Sequence, residues 1–193
     1  MDSLRAGTAL LMVDVQQDFL PGGPLAVPRG EEVIPVLYRY LTLFLSANVL
    51  IFATRDWHPP DHCSFHAQGG PWPTHCVAQT LGAQFPLGLQ LPPSAIVISK
   101  GTDPARDAYS GFQGTPLHDR LQAAGVTRLF IGGLATDYCV LETVQDARRL
   151  NYAVYLLLDA MRAVNVLPED GLRAEAAMVK AGAIPLRWEQ LAA

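Results

Sequence analysis

Leu129-Phe130-Ile131-Gly132-Gly133-Leu134-Ala135-Thr136-Asp137-Tyr138-Cys139-Val140 is the segment around which the rest of this chain is organised. Its first residues form a short apolar run that is typical of a buried strand. Gly132-Gly133 then lets the chain turn without the steric cost of a Cβ atom. Thr136 or Asp137 can cap a helix that continues to Leu150. We therefore predict a strand, a tight glycine turn and a helix in immediate succession.

Cys139 falls in the first turn of that predicted helix. Unpaired backbone N–H groups and the helix dipole favour a thiolate at such a position, and the same N–H groups can hold an oxyanion. Cys139 is therefore a candidate nucleophile. The alternative is a buried structural cysteine, because cysteine is among the residue types most often found in protein interiors.

Outside this stretch, apolar runs alternate with segments that have helical spacing. The predicted strands are 9–13, 49–53, 95–98, 128–131, 153–158 and 183–186, and the predicted helices are 30–47, 116–124, the segment after Cys139 and 169–181. Continuous apolar runs are typical of strands buried on both faces. We predict an α/β fold, a three-layer sandwich in which a parallel sheet of about six strands carries helices on both faces. Residues 1–193 are predicted to form a single domain.

Composition excludes several classes of function. The chain has 193 residues, half of them hydrophobic, and a net charge of −4, which argues against nucleic acid as a partner. No apolar run reaches the length of a membrane span and no signal peptide is recognisable, so we expect no membrane partner. The three cysteines show no disulfide framework. A reducing cytoplasm is the expected location. The sequence leaves open whether the chain forms a homo-oligomer.

Four chemically useful side chains stand at the ends of predicted strands: Asp14, Asp56, Lys100 and Cys139. In a parallel sheet, the carboxyl ends of the strands are where reactive groups gather. Lys100 is one of only two lysines, whereas the chain has twelve arginines. A lysine is compact and its pKa can be shifted, which suits a crowded site better than arginine does.

The connection from Asp56 to Ser94 is too long for an ordinary loop and contains four of the five histidines. Asp56 and His58 are two residues apart on an extended segment, so their side chains point to one side. His75 follows a Gly-Gly-Pro turn that can bring it back to them. Asp, His and His form a ligand set for zinc, iron(II) or manganese.

Other residues of this connection leave alternatives open. His62 is either a further metal ligand or a residue that supports the ligands. Cys63 and Cys76 could form a thiolate metal site instead. Each cysteine is next to a histidine, however, and neighbours on an extended chain face opposite ways. We therefore interpret both cysteines as packing residues.

Several motifs together resemble the nicotinamidase (pyrazinamidase) branch of the isochorismatase-like cysteine hydrolases. They are Asp14-Val-Gln-Gln-Asp-Phe19, Asp56-Trp-His-Pro-Pro-Asp-His-Cys-Ser-Phe65, Trp72-Pro-Thr-His-Cys76, Lys100-Gly, Gly133-Leu-Ala-Thr-Asp-Tyr-Cys-Val140 and Asp159-Ala-Met-Arg-Ala-Val-Asn165. They occur in the family's order from about residue 8 to about residue 165. The metal motif is the most specific of them.

The resemblance implies a function and a site. The function is hydrolysis of nicotinamide, and of pyrazinamide, through a cysteine thioester, as a step of NAD salvage. The implied residues are the catalytic triad Asp14, Lys100 and Cys139; the metal ligands Asp56, His58 and His75; the oxyanion-holding N–H groups of Ala135 and Cys139; and the ring-binding Phe19 and Trp72, with Tyr109 nearby. One divalent metal is implied, with zinc as the first expectation and iron or manganese as alternatives. The family also has a cis peptide bond at the position of Leu134–Ala135.

Three competing interpretations belong to other classes. One is a hydrolase in which a metal-bound hydroxide is the nucleophile and Cys139 takes no part. Another is a metal-free cysteine amidase acting on a different small amide, or an isochorismate-type hydrolase that does not need the cysteine. The third is a non-catalytic module that uses the fold as an interaction surface. The joint presence of Asp14, Lys100 and Cys139 argues against the third.

Overall fold

Six parallel strands form one sheet in the computed structural model, which describes Leu4 and residues 6–191. The strands are β1 (Thr8–Val13), β2 (Leu50–Asp56), β3 (Ile96–Lys100), β4 (Arg128–Leu134), β5 (Ala153–Arg162) and β6 (Ile184–Leu186). Their order across the sheet is β3-β2-β1-β4-β5-β6. The predicted α/β class and strand count are confirmed. The ends of the predicted domain, 1–3 and 192–193, lie outside the described residues.

Helices cover both faces of the sheet. They are α1 (Val33–Ser46), α2 (Leu117–Ala123), α3 (Leu141–Arg149), α4 (Asp170–Lys180) and the short α5 (Trp188–Leu191), which the sequence pattern did not predict. Side chains of β1 alternate between the two cores: Leu10 and Met12 pack with α1, whereas Leu11 packs with α2 and α3. Because β1 is buried on both sides, its sequence is a continuous apolar run rather than an alternating one.

The glycine pair Gly132-Gly133 lies inside β4 and does not form the predicted turn. The strand continues to Leu134, with a register irregularity against β5 between Ile131 and Gly133. Gly133 has φ +131°, and a Cβ atom there would lie 2.1 Å from the carbonyl oxygen of Val13 on β1. Glycine is therefore required here because two backbones approach closely. A turn requires glycine as well, so the sequence pattern cannot distinguish the two cases.

The strand order reverses at β1, because the chain first runs outward through β2 and β3 and then crosses to β4 on the other side of β1. In open parallel sheets, ligand sites form beyond the carboxyl ends of the strands at such a switch point. Asp14 directly follows β1, and Asp56 and Lys100 are the last residues of β2 and β3. The topology therefore gathers the predicted residues at one edge.

The long connection between β2 and β3 is ordered by its own backbone contacts. It contains a short 3-10 turn at His66–Gln68 and two isolated bridges, His58 to Val77 and Phe65 to Trp72. These bridges fold the segment back on itself beside the end of β2. Among the described residues, the longest helix has 14 residues, and no helix meets the requirements of length and apolar character for a membrane span.

Gly133→Ala tests the close approach of β1 and β4. We expect a loss of about 3 kcal/mol or more in the free energy of unfolding, because the new methyl group overlaps the Val13 carbonyl and the positive φ is unfavourable. Gly114 is the matched control, since it has φ +67° but no atom within 4 Å of the place where a Cβ atom would lie. Gly114→Ala should cost only about 1 kcal/mol. Equal losses in urea titrations of the two variants would contradict this account.

Candidate active site

Four buried side chains converge at the switch point. Asp14 comes from the end of β1, Asp56 from β2, Lys100 from β3 and Cys139 from the turn after β4, and each is less than a tenth exposed. Asp56 and Lys100 are direct neighbours in the parallel register of β2 and β3. The structure thus brings together the four strand-end residues that the sequence singled out.

The Lys100 ammonium group is the centre of this cluster. Its Nζ lies 2.9 Å from Asp14 Oδ2 and 2.5 Å from Asp56 Oδ1. It also donates to the carbonyl oxygen of Ala108 at 3.0 Å and lies 3.5 Å from Cys139 Sγ. Lys100 therefore contacts the proposed base, a proposed metal ligand and the proposed nucleophile at the same time.

Burial and the neighbouring charges shift the pKa values of these groups in opposite directions. Burial alone would lower the pKa of Lys100, but the Asp14 and Asp56 carboxylates raise it well above its ordinary value. Burial likewise acts to raise the pKa of Asp56, but Lys100 and His58 together hold it below its usual range. For Asp14, burial prevails over Lys100 and the pKa is raised. A carboxylate with a raised pKa is better suited to accept a proton.

Cys139 lies in a single π-helical turn, Thr136–Val140, which leads directly into α3. The predicted cap by Thr136 or Asp137 is wrong, because no side chain caps this turn. The Asp137 carboxylate instead accepts the N–H groups of Val164 at 2.9 Å and Asn165 at 2.8 Å. Asp137 therefore fastens the loop after β5 to the turn that carries Cys139.

The turn position favours a thiolate at Cys139, but burial acts against it. Burial raises the pKa of the thiol well above its ordinary value, and the nearby Asp14 and Asp56 carboxylates raise it further against the opposing effect of Lys100. Desolvation of the charged form thus outweighs the favourable turn position. Activation of this cysteine requires a base. Oxygens of Asp14 and Asp56 and the Cys139 sulfur all lie within 4.8 Å of one another.

Backbone N–H groups border the sulfur. The Leu134–Ala135 peptide bond is cis, as the family resemblance implies. The carbonyl of Ala135 accepts hydrogen bonds from the N–H groups of Tyr138 and Val140, both at 3.1 Å. Within the described residues, the Ala135 N–H is engaged in no such contact. That N–H and the N–H of Cys139 are the two candidate donors for an oxyanion.

Asp56, His58 and His75 form a possible metal site. One ligand atom of each lies within 4.8 Å of the others, and all three residues are buried. The Nδ1 atoms of His58 and His75 bond to the carbonyls of Gly101 at 2.9 Å and Pro73 at 2.7 Å. A carbonyl accepts only from a protonated nitrogen, which leaves Nε2 as the lone-pair donor in each neutral ring. This donor set fits a borderline divalent ion such as zinc.

His62 lies behind this site rather than among its donors. Its Nδ1 is 2.7 Å from Ser64 Oγ and its Nε2 is 3.0 Å from the Arg106 carbonyl oxygen, so both ring nitrogens are occupied. Its ring stacks on that of His58 at a centroid distance of 4.1 Å. Of the two roles left open by the sequence, this geometry favours support of a ligand. Cys76 is fully buried in the core and Cys63 is half-buried.

A mostly apolar cleft opens onto Cys139 and the metal-site residues. The three ring-binding candidates Phe19, Trp72 and Tyr109 all line it. Trp72 Nε1 donates to the Tyr109 hydroxyl at 2.9 Å, which fixes the relative position of these two walls. Aromatic walls of this kind suit a flat ring as ligand.

Several residues of the cleft wall were given no role by the sequence, and Tyr138 and Val164 are two of them. Tyr138 packs edge-on against Trp72 at 5.1 Å between ring centroids. Its position directly before Cys139 was a usable signal. Val164 is held in place by Asp137, 27 residues earlier in the chain, and no local pattern could reveal that contact.

Similarity to known proteins extends over nearly the whole chain. Residues 8–190 match the model of the isochorismatase domain family. The nicotinamidase of Escherichia coli (strain K12) is 40% identical, over 91% of this chain and 92% of that protein. The structure of pyrazinamidase of Pyrococcus horikoshii in complex with zinc superposes with a TM-score of 0.91 at 47% identity, over 94% of this chain and 99% of that one. The structure of PnC1 from L. infantum in complex with nicotinate superposes with a TM-score of 0.88 at 36% identity, over 95% of this chain and 94% of that one.

Lys100→Met tests whether the ammonium group holds the site together. Removing it leaves two buried carboxylates uncompensated, and we expect a loss of about 3–5 kcal/mol in the free energy of unfolding of metal-free protein. Lys180 is exposed near the end of α4 and provides the matched control. Lys180→Met should stay within about 0.5 kcal/mol of the unmodified chain. If both variants unfold at the same urea concentration, Lys100 is not the compensating charge.

Proposed function

The chain belongs to the isochorismatase family, and from that premise we propose that it is a nicotinamidase, which hydrolyses nicotinamide to nicotinic acid and ammonia. The observation that carries the proposal is the cluster of Asp14, Lys100 and Cys139 beside the buried Asp56, His58 and His75. Cys139 and the three metal-site residues line one cleft. Pyrazinamide, which keeps the carboxamide on a similar ring, is a second expected substrate. The reaction would return nicotinamide to NAD synthesis.

In the proposed mechanism, Cys139 is the nucleophile and Asp14 the general base. The thiol proton passes to Asp14 as the sulfur attacks the carboxamide carbon, so that no free buried thiolate has to persist. The raised pKa of the Asp14 carboxyl supports this role. Lys100 contacts both Asp14 Oδ2 and Cys139 Sγ, so it compensates the negative charge whether that charge is on the carboxylate or on the sulfur. The N–H groups of Ala135 and Cys139 would hold the oxyanion of the tetrahedral intermediate.

Collapse of that intermediate releases ammonia and leaves an acyl thioester on Cys139. Asp14, protonated in the first step, gives its proton to the departing nitrogen. It then takes a proton from water as the water oxygen attacks the thioester carbon, and nicotinic acid leaves while the proton returns to the sulfur. Asp14 therefore makes the proton transfers in both halves of the reaction, and no other residue has to accept or donate a proton.

Zinc is the proposed metal, held by Asp56, His58 and His75. When bound, it would act as a Lewis acid that binds the pyridine nitrogen directly or through water and so orients the ring. Support comes from the Asp-His-His donor set and from the zinc complex of the Pyrococcus horikoshii pyrazinamidase. Iron(II) or manganese would also suit the same donors.

The cleft walls account for the choice of an aromatic amide. Phe19 and Trp72 are proposed to pack against the faces of the ring, with Tyr109 fixing Trp72 through its hydroxyl group. Cys139 and the metal-site residues line the same cleft. The carboxamide can therefore meet the sulfur while the ring nitrogen points away from it.

Cys139→Ala tests the nucleophile. Ammonia release from nicotinamide should fall by at least about a thousandfold, with the thermal midpoint and zinc content unchanged, because only the attacking atom is removed. Cys63→Ala is the matched control and should keep normal turnover. Mass spectrometry of enzyme quenched during turnover should find the acyl group on Cys139. A variant that retained a tenth of the activity would exclude the thioester mechanism and favour a metal-bound hydroxide.

His58→Ala tests the orienting role of the metal. Zinc content after dialysis should fall well below one ion per chain, and kcat/KM for nicotinamide should drop toward that for benzamide, which lacks the ring nitrogen. Alkylation of Cys139 by iodoacetamide should continue at a comparable rate. His66→Ala is the matched control, because it alters an exposed histidine of the same connection. It should leave the zinc content and the preference for nicotinamide over benzamide unchanged. If His58→Ala lowered kcat/KM by the same factor for nicotinamide and for benzamide, the proposal that the metal binds the ring nitrogen would be wrong.

A further inference from the structure

Thr54 is a buried β2 residue that holds Asp14 at two points. Its hydroxyl group donates to Asp14 Oδ1 at 2.6 Å, and its backbone carbonyl accepts the Asp14 N–H at 3.2 Å. A hydrogen bond of this length to a carboxylate is in the strong, charge-assisted range. Sequence reasoning assigned no role to Thr54, since a threonine in a strand is ordinary.

The backbone at Asp14 makes such support necessary. Asp14 has φ +48°, a left-handed conformation that is unfavourable for a residue with a Cβ atom. Contacts from the surrounding structure are therefore needed to hold the residue in this conformation. Thr54 supplies a contact to the side chain and another to the backbone.

The two carboxylate oxygens of Asp14 have different surroundings. Oδ1 accepts the Thr54 hydroxyl hydrogen. Oδ2 forms the ion pair with Lys100, yet within the described residues no donor reaches it with hydrogen-bond geometry. With Oδ1 engaged, Oδ2 is the oxygen that remains available for a proton from Cys139.

The Thr54 hydroxyl is itself fixed by packing. The Thr54 methyl group faces Gly111, where a Cβ atom would come within 2.8 Å of it. The side chain is thus wedged with its methyl group toward the glycine and its hydroxyl group toward Asp14. The carboxylate receives its hydrogen bond from one fixed direction.

We propose that Thr54 is a positioning residue for the general base: it locks the Asp14 carboxylate so that Oδ2 faces Lys100 and Cys139. Thr54 donates to Asp14 and acts on the reaction only through that carboxylate. The inference rests on the proposed role of Asp14, but the thiol chemistry that tests it does not depend on nicotinamide being the substrate.

The test compares Thr54→Val, which keeps the shape without the donor, with Thr54→Ser, which keeps the donor. The first readout is the rate of Cys139 alkylation by iodoacetamide, with the modified residue mapped by mass spectrometry. In that reaction the thiol proton passes to Asp14, the sulfur forms a bond to the methylene carbon, the carbon–iodine bond breaks and iodide leaves. The second readout is kcat and KM for nicotinamide.

Thr54→Val should lower the alkylation rate and kcat by about tenfold to a hundredfold, because a base displaced by about 1 Å loses that much rate. KM should stay within about twofold, since Thr54 does not line the cleft. Thr54→Ser should recover most of both rates. Thr143 is the matched control, a buried threonine whose hydroxyl oxygen accepts the Gly111 N–H at 2.9 Å. Thr143→Val should leave both rates close to normal.

If Thr54→Val does not fold, Thr54→Ala and Thr54→Ser form the deciding pair, because they differ only in the hydroxyl group. Normal alkylation and turnover rates in Thr54→Val or Thr54→Ala would overturn the proposal. It would also be overturned if Thr54→Ser were as slow as Thr54→Ala or Thr54→Val. Equal losses in Thr143→Val would assign the effect to packing and overturn it as well. Absence of ammonia release by the unmodified chain would refute the nicotinamidase proposal, while the alkylation rates would still decide the role of Thr54.

Discussion

A single buried ammonium group organises the carboxyl edge of this sheet. Lys100 is 1% exposed and lies between the carboxylates of Asp14 and Asp56. Its positive charge compensates the buried carboxylates, because an ion without a partner in this interior would lose its hydration uncompensated. Lys100 therefore holds the last residue of β2 and the first residue after β1 in one arrangement. Cys139 then meets a site whose charges are already placed.

Much of this arrangement could be predicted from the sequence, for a physical reason. Parallel strands buried on both faces are continuous apolar runs, and their carboxyl ends share one edge of the sheet. A charged residue that directly follows such a run must therefore lie near its counterparts. Asp14, Asp56 and Lys100 could be selected by this argument alone. The pairing of Asp56 with His58 followed from the two-residue period of an extended chain.

The remaining features depend on contacts between distant segments. Gly133 is a glycine because the Val13 carbonyl passes close to it, and Asp137 is an aspartate that anchors a loop 27 residues away. In the local sequence the first looks like a turn residue and the second like a helix cap. The effect of burial on the pKa of the Cys139 thiol was not visible in the sequence for a related reason. A sequence shows the start of a helix, but it does not show how completely the surrounding fold removes water.

The Asp137 contact has a consequence for how such enzymes can diverge. The proposed catalytic residues lie at the ends of strands and in the turn after β4. Val164 belongs to the loop after β5, which Asp137 fastens to this turn. Catalytic chemistry and the shape of one cleft wall thus reside in separate segments joined by two hydrogen bonds. Insertions or substitutions in that loop can reshape the cleft while the charged cluster stays intact. In this fold, a change of cleft shape therefore does not require a change in the charged cluster.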